Sequence, residues 1–285
     1  AVGVVDLDTA SAQQVSVLDL SGNGAAVTYD ITNGSPEDIT VSGDQDTAIR
    51  IDGDEIDTET VTNSLTAGRF TLALDAATGG VDLTNAEADV YALVADLGET
   101  LTFATGDQTV LISADQATAA AAPTSTAGTD AITIQTGDET GGDDVITLTS
   151  YDFSDYDSAT IDVSGDDFAT ATGINLGTGA VTLVGSGDAT FVGNTVAGSI
   201  NAADFSGDLE IDLDPNTAAE VADVTGGSGD DTFNLTSAGD LTLDGRGGTN
   251  VLSVDTPVDL SSSNISLTNI SQILLDESNN GNIDR

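Results

Sequence analysis

Short runs of alternating apolar and polar residues, each closed by glycine, asparagine or aspartate, recur along the chain. Val15-Ser16-Val17-Leu18-Asp19-Leu20, Val27-Thr28-Tyr29-Asp30-Ile31 and Ile39-Thr40-Val41 set the pattern. A period of two sends successive side chains to opposite faces of an extended backbone, so each run predicts a half-buried strand. The breaks, such as Ser21-Gly22-Asn23-Gly24 and Asn33-Gly34-Ser35-Pro36, are turn sequences. Ala1-Val2-Gly3-Val4-Val5 is apolar throughout and predicts a strand that pairs within its own domain or adds to a neighbouring subunit's sheet edge. Beyond Asp130 the same grammar returns in Ile132-Thr133-Ile134, Val145-Ile146-Thr147-Leu148, Thr160-Ile161-Asp162-Val163, Leu209-Glu210-Ile211-Asp212-Leu213 and Val251-Leu252-Ser253-Val254. Their spacing drifts between roughly 10 and 30 residues, an irregular array rather than a tandem repeat.

The texture changes in the middle. Ala86, Val90, Leu93, Val94 and Leu97 fall on one face at helical spacing, with Thr84 or Asn85 as a cap and Gly98 as a stop. A short helix is expected over 84–97, and a second over the alanine-rich stretch 113–122. Pro123-Thr124-Ser125-Thr126-Ala127-Gly128 reads as a linker. The expected fold is mostly β. A β-rich N-terminal domain with these helices covers 1–125, and an irregular parallel β-solenoid covers 130–285. A β-sandwich built from the same strands is the alternative.

Gly226-Gly227-Ser228-Gly229-Asp230-Asp231-Thr232-Phe233-Asn234 fits the nine-residue pattern G-G-x-G-x-D-x-U-x, where U is a large apolar residue, without a mismatch. Glycines let the backbone turn tightly and point carbonyls at a cation, and Asp231 supplies a hard anionic oxygen. A weaker copy, Gly245-Arg246-Gly247-Gly248-Thr249-Asn250-Val251-Leu252, starts 19 residues later (245 − 226) and carries Asn250 in place of the aspartate. That offset is close to the ~18 residues of a two-strand coil, so the two turns are expected on the same side of adjacent coils. Without a charge on Asn250 the second half-site is expected to be weaker. A glycine–aspartate turn without metal is the competing reading of both.

The nonapeptide resembles that of the repeats-in-toxin (RTX) family, which forms calcium-bound parallel β-rolls. Together with Gly198–Leu209 and Asn264–Asp276 it is similar to bacterial RTX-type surface-layer and surface-filament proteins. The resemblance covers the last third of the chain and departs from the family in having one full nonapeptide rather than a run. It implies Ca2+ held around Gly226, Gly227, Gly229 and Asp231, with Gly245, Gly248 and Asn250 from the second turn. Asp144, in Gly141-Gly142-Asp143-Asp144-Val145-Ile146, is a further candidate ligand because the stretch keeps a Gly-x-Asp-x-apolar core. Gly185-Ser186-Gly187-Asp188-Ala189-Thr190-Phe191 has Ala189 at the ligand position and reads as a metal-free coil. Other acidic turns, at Asp44/Asp46, Asp52/Asp54, Asp152/Asp155/Asp157 and Asp166/Asp167, read mainly as turn formers.

Composition narrows the function. The 285 residues carry 49 acidic side chains against four arginines and no lysine, a formal net charge of −45. Such a chain repels nucleic acid and anionic membranes and attracts divalent cations. It has no His, so no Ser-His-Asp triad, and no Cys, so no thiol nucleophile, disulfide or zinc site of the usual N/S type. Paired carboxylates suffice for glycoside hydrolysis, but no pair stands out from the turns, and aromatics for a sugar platform make up 4%. No enzyme is expected. No apolar run reaches the ~20 residues of a membrane span, no secretory signal is visible, and a start at Ala1 without Met reads as a processed or partial product. The expectation is an extracellular structural subunit, exported unfolded by a type I-like route without a cleaved Sec signal. It would assemble with copies of itself into a surface layer or filament in a calcium-dependent way. Cell-surface polysaccharide is a second candidate partner. The alternative is a calcium-stabilised β-roll binding module of a large adhesin or secreted enzyme, or a halophile's surface protein whose acidity answers to salt.

Overall fold

In a computed structural model the chain is a parallel β-solenoid. The structure describes residues 3–6, 18–21, 26–32, 38–56, 59–75, 77, 79–97, 100–116, 130–137, 145–149, 152–170, 173–175, 179–196, 198–215, 222–254, 258–261 and 263–275. One face is a thirteen-stranded sheet that takes one strand from each successive coil. Its strands are β1 (Gly3–Asp6), β3 (Val27–Asp30), β5 (Thr47–Ile51), β7 (Phe70–Leu74), β9 (Val90–Leu93), β11 (Gln108–Ile112), β12 (Ala131–Thr136), β14 (Ser158–Val163), β17 (Ala180–Gly185), β20 (Ser199–Phe205), β22 (Asp223–Thr225), β24 (Leu241–Asp244) and β26 (Ile265–Thr268). A second face is built in the C-terminal half from seven strands: β13 (Val145–Leu148), β15 (Asp167–Thr170), β18 (Ala189–Phe191), β21 (Leu209–Leu213), β23 (Thr232–Leu235), β25 (Val251–Val254) and β27 (Gln272–Leu275). Smaller sheets join β2 (Leu18–Ser21), β4 (Asp38–Gly43) and β6 (Thr60–Leu65), β8 (Val81–Leu83) with β10 (Leu101–Phe103), and β16 (Gly173–Asn175) with β19 (Asn194–Val196).

Every strand pairing is parallel. That decides for the solenoid over the sandwich, whose neighbouring strands would run antiparallel. The solenoid also reaches into the N-terminal part, where β1, β3, β5 and β7 pair in sequence order. β11 pairs with β12 through Gln108–Ile132 to Ile112–Thr136, so the described strands on either side of 117–129 share one sheet. The expected linker at 123–128 lies outside the described residues.

Alternation along each strand sorts the side chains. In β5, Thr47, Ile49 and Ile51 are buried while Ala48 and Arg50 are half-exposed. The parallel register stacks inward residues into columns along the axis, such as Phe191, Ile211, Phe233, Leu252 and Ile273. Phe168 and Phe191 meet with ring centroids 5.3 Å apart. Each fully buried Ile, Leu, Val or Phe removes enough apolar surface from water to stabilise the stack by about 1.5–3 kcal/mol before entropy is charged against it.

No α-helix occurs among the described residues, which corrects the expectation for 84–97. Thr84 and Asn85 form a turn, Ala86 bridges to Val61, and Val90–Leu93 is the strand β9. Strand pairing with β7 and β11 supplies a ladder on both sides that a helix would forgo. Tyr91 donates its hydroxyl to the Ala86 carbonyl at 2.6 Å, fixing the preceding turn. At the start of the second expected helix, Ser113–Gln116 are non-helical; residues 117–122 lie outside the described ones. Gln116 is fully buried, its amide bonded to the carbonyls of Ala95 and Ala114.

Candidate functional site

The two glycine-rich turns occupy the same corner of consecutive coils, between β22 and β23 and between β24 and β25. The expected offset holds: the Asp231 amide donates to Asn250 Oδ1 at 3.1 Å, 19 residues on. Asp231 is fully buried although it is a carboxylate. Its Oδ1 accepts the Leu209 amide of the preceding coil at 3.1 Å, and its Oδ2 accepts the Gly227 amide at 3.0 Å. Burial pushes its pKa up to about 6; those two amides pull it down, and Asp208 and Asp230 push it further up. Both carboxylate oxygens therefore already serve the backbone.

Asn250, also fully buried, makes the second turn self-sufficient. Its Nδ2 donates to Gly245 O at 2.7 Å, Gly247 O at 2.7 Å and Asn269 O at 3.0 Å. A side-chain amide thus lies on the carbonyls that the sequence pattern assigned to an ion.

The glycines are required for close approach. A Cβ on Gly226 would run into the Asp231 carboxylate, and one on Gly245 would lie 2.5 Å from Asn250 Nδ2. A Cβ on Gly227 would meet the Phe205 carbonyl at 2.6 Å. Gly229 sits on the Gly207 carbonyl and Gly248 on the Gly229 carbonyl, so neither has room for a side chain. Gly248 also has a φ of 73°, in the left-handed region. Arg246, which replaces the pattern's second glycine, takes a φ of 52° and donates its amide to Asp244 Oδ1 at 3.0 Å. That bond, with one from Asn269, holds the Asp244 carboxyl below the usual range.

Asp144 lies outside the described residues. The register from β13 through β15, β18 and β21 puts Ile146, Phe168, Ala189 and Leu209 at the level of Asp231. Ala189 stands where its motif placed it, at the level of Asp231.

A feature that single-motif reading missed runs beside these turns. Asp188 N donates to Asp167 Oδ1 (2.7 Å), Asp208 N to Asp188 Oδ1 (2.9 Å), Asp230 N to Asp208 Oδ1 (2.7 Å) and Thr249 N to Asp230 Oδ1 (2.6 Å). Four aspartates at one corner each hold the next coil's backbone, with sequence steps of 21, 20, 22 and 19. The signal was present as Gly-Asp pairs at near-constant spacing. Elsewhere Asp46 accepts from Arg69 N, Asp107 from Ala131 N, Asp115 from Thr147 N and Asp240 from Asn264 N, also across coils. Asp52 and Asp152 accept from amides two residues on, as turn formers do.

Calcium takes six to eight oxygens. Among the described residues no group of three or more acidic, His or Cys side chains converges on one point. The Asn250 turn does not fit the ion, because a donor already caps its carbonyls. The Asp231 turn offers one carboxylate whose oxygens both hold amides. The described side chains of this corner hold its backbone amides and carbonyls, and each Asp231 oxygen, with one amide bound, keeps a second lone pair. On the outer face, a shallow groove of about 110 Å³ beside Thr28, Asp46, Arg69 and Thr71 is well under the volume of a small-molecule site.

Fold and corner together define a parallel β-solenoid whose coils are coupled by carboxylate and carboxamide side chains. Comparison with protein-family models, curated proteins and solved structures finds no match.

Proposed function

We propose that the protein is an extracellular structural subunit that assembles with copies of itself into a surface layer or filament. The observation that supports this most is the unbroken parallel stack, whose thirteen-stranded sheet ends in β1 on one side and β26 on the other. Among the described residues each of these outer strands pairs on one edge, and an edge strand of this kind can take a further strand through its backbone amides and carbonyls. The described acidic side chains at the corners hold backbone rather than converge on a reaction centre, in keeping with a structural role. Calcium enters this reading as counter-charge for an acidic surface of net charge −45, lowering repulsion within and between subunits.

The test is sedimentation velocity with electron microscopy of the purified chain, in chelator and in millimolar calcium. Ordered multimers that grow with calcium are the expected result. A chain that stays monomeric in both sinks the assembly reading and favours a module that works as part of something larger.

A further inference from the structure

In a chain with 49 acidic residues, unengaged hydrogen-bond donors stand out, and three of them share one groove. Thr28 of β3, Ala48 of β5 and Thr71 of β7 are register partners on adjacent strands of the main sheet. Each is half-exposed while the next residue along, Tyr29, Ile49 or Leu72, is buried. The small Ala48 between two threonines leaves a dip of about 110 Å³, which Asp46 and Arg69 also line. Arg69 is exposed, and its backbone is fixed. Its amide donates to Asp46 Oδ1 at 2.9 Å, and its carbonyl accepts the Thr47 amide at 2.9 Å. Gly68 before it, at a φ of 86°, packs directly on the Gln45 backbone. The neighbouring carboxylate thus serves the Arg69 backbone. Among the described residues the Arg69 guanidinium has no ion pair or hydrogen bond, and neither the Thr28 nor the Thr71 hydroxyl has a partner. Arg50, by contrast, is paired with Asp75 at 2.8 Å.

Resting on the assembly reading, we infer that this groove receives an acidic side chain of a second copy. Charge complementarity selects the occupant. A carboxylate offers acceptors to all three donors: its two oxygens take the forked N–H groups of a guanidinium and keep lone pairs for the hydroxyls. The volume admits one such side chain and is too small for a larger ligand. With 49 acids against four arginines, carboxylates to fill the groove are abundant, and an unpaired arginine is their scarce complement. Two bodies of charge −45 repel at long range, so their contact settles where a cation is already held in place by its backbone. The groove lies on the outer face of the main sheet rather than at its edge, so this contact joins stacks side by side. That is the direction a layer needs and a single filament does not.

The test compares two arginines. Arg69→Gln and Arg246→Gln make the same change in net charge at exposed positions, and Arg246 lies between β24 and β25, away from the groove. In sedimentation velocity at millimolar calcium, R69Q should raise the assembly midpoint roughly fivefold or more, and R246Q should stay within about twofold of the parent. The double variant T28V/T71V removes the hydroxyls without touching charge and should move the midpoint in the same direction as R69Q, with the parent's circular dichroism. Acetate is the probe of the groove itself. At an ionic strength matched with chloride, it should shift the Arg69 side-chain N–H resonance of the parent and raise the assembly midpoint. Equal effects of R69Q and R246Q would mean that only overall charge counts, and the inference fails while the assembly reading stands. If acetate shifts the Arg69 resonance and R69Q still assembles like the parent, the carboxylate comes from another molecule and the second copy is overturned as occupant. If the parent itself never assembles, the assembly reading falls and this inference falls with it.

Discussion

Asn250 shows how one atom changes the chemistry of a turn. Its two N–H groups are shared among three carbonyls, so Asn250→Ala leaves them without that donor in a buried corner. The expected loss is roughly 3 to 5 kcal/mol, read from urea denaturation. Asn250→Asp keeps an acceptor for the Asp231 amide but sets a second carboxylate among three carbonyls. This variant should be weaker than the parent in chelator and regain stability when calcium is added, whereas the parent's turn should not respond. Asp231 carries its own test. Its folded pKa is raised, so its contribution to stability is fully present below the unfolded value near 3.8 and is lost as pH rises through about 6. In chelator the stability of the parent relative to Asp231→Asn, which does not titrate, should fall by up to roughly 3 kcal/mol from acid to neutral pH. A gap that is flat with pH would mean that the carboxylate titrates alike in the folded and unfolded chain. At this scale the sequence told where the turns are and that they stack, because the 19-residue offset and the glycines are covalent facts. It did not tell that the Asn250 amide lies on the carbonyls of the second turn, because donor direction depends on how the coil above is placed.

At the scale of the strand and its corner, stacking distance decides. Gly229 rests on the Gly207 carbonyl, and a methyl group there forces two coils apart. Gly229→Ala should cost about 3 kcal/mol or more. Gly79→Ala, where nothing lies within 4 Å, should stay within about 0.5 kcal/mol. Thermal unfolding of the pair separates backbone packing from a generic loss of glycine. Strand positions were legible wherever alternation was clean, as in β4 and β12, because a coil wall buries every second residue. They were misread at Val90–Leu93, where all four residues are buried. A strand covered on both faces loses its period of two, and a short apolar run then looks the same as one side of a helix.

For the whole molecule, charge sets the conditions under which the stack holds together. With 49 acidic groups and four arginines, repulsion is long-range and screenable. If calcium acts as counter-charge, potassium chloride at about 1 M in chelator should recover most of the stability that millimolar calcium supplies. Recovery with calcium alone would point to a built ion site elsewhere in the chain. The solenoid was foreseen for the C-terminal half and extends through the described N-terminal strands as well. Irregular coil lengths hid this, since no fixed repeat marks the N-terminal coils, and parallel pairing is set by contacts between coils rather than within them.

The line of aspartates from Asp167 to Asp230 also makes the stack observable one coil at a time. The amides of Asp188, Asp208, Asp230 and Thr249 sit at corners, outside the strands, where hydrogen exchange would ordinarily be fast. Each is protected by a carboxylate from the coil before it, so it exchanges when those two coils part, whatever the rest of the molecule is doing. A one-dimensional array frays from its termini. Ranked by exchange rate, these four amides therefore form a gauge of how far opening has travelled along the stack.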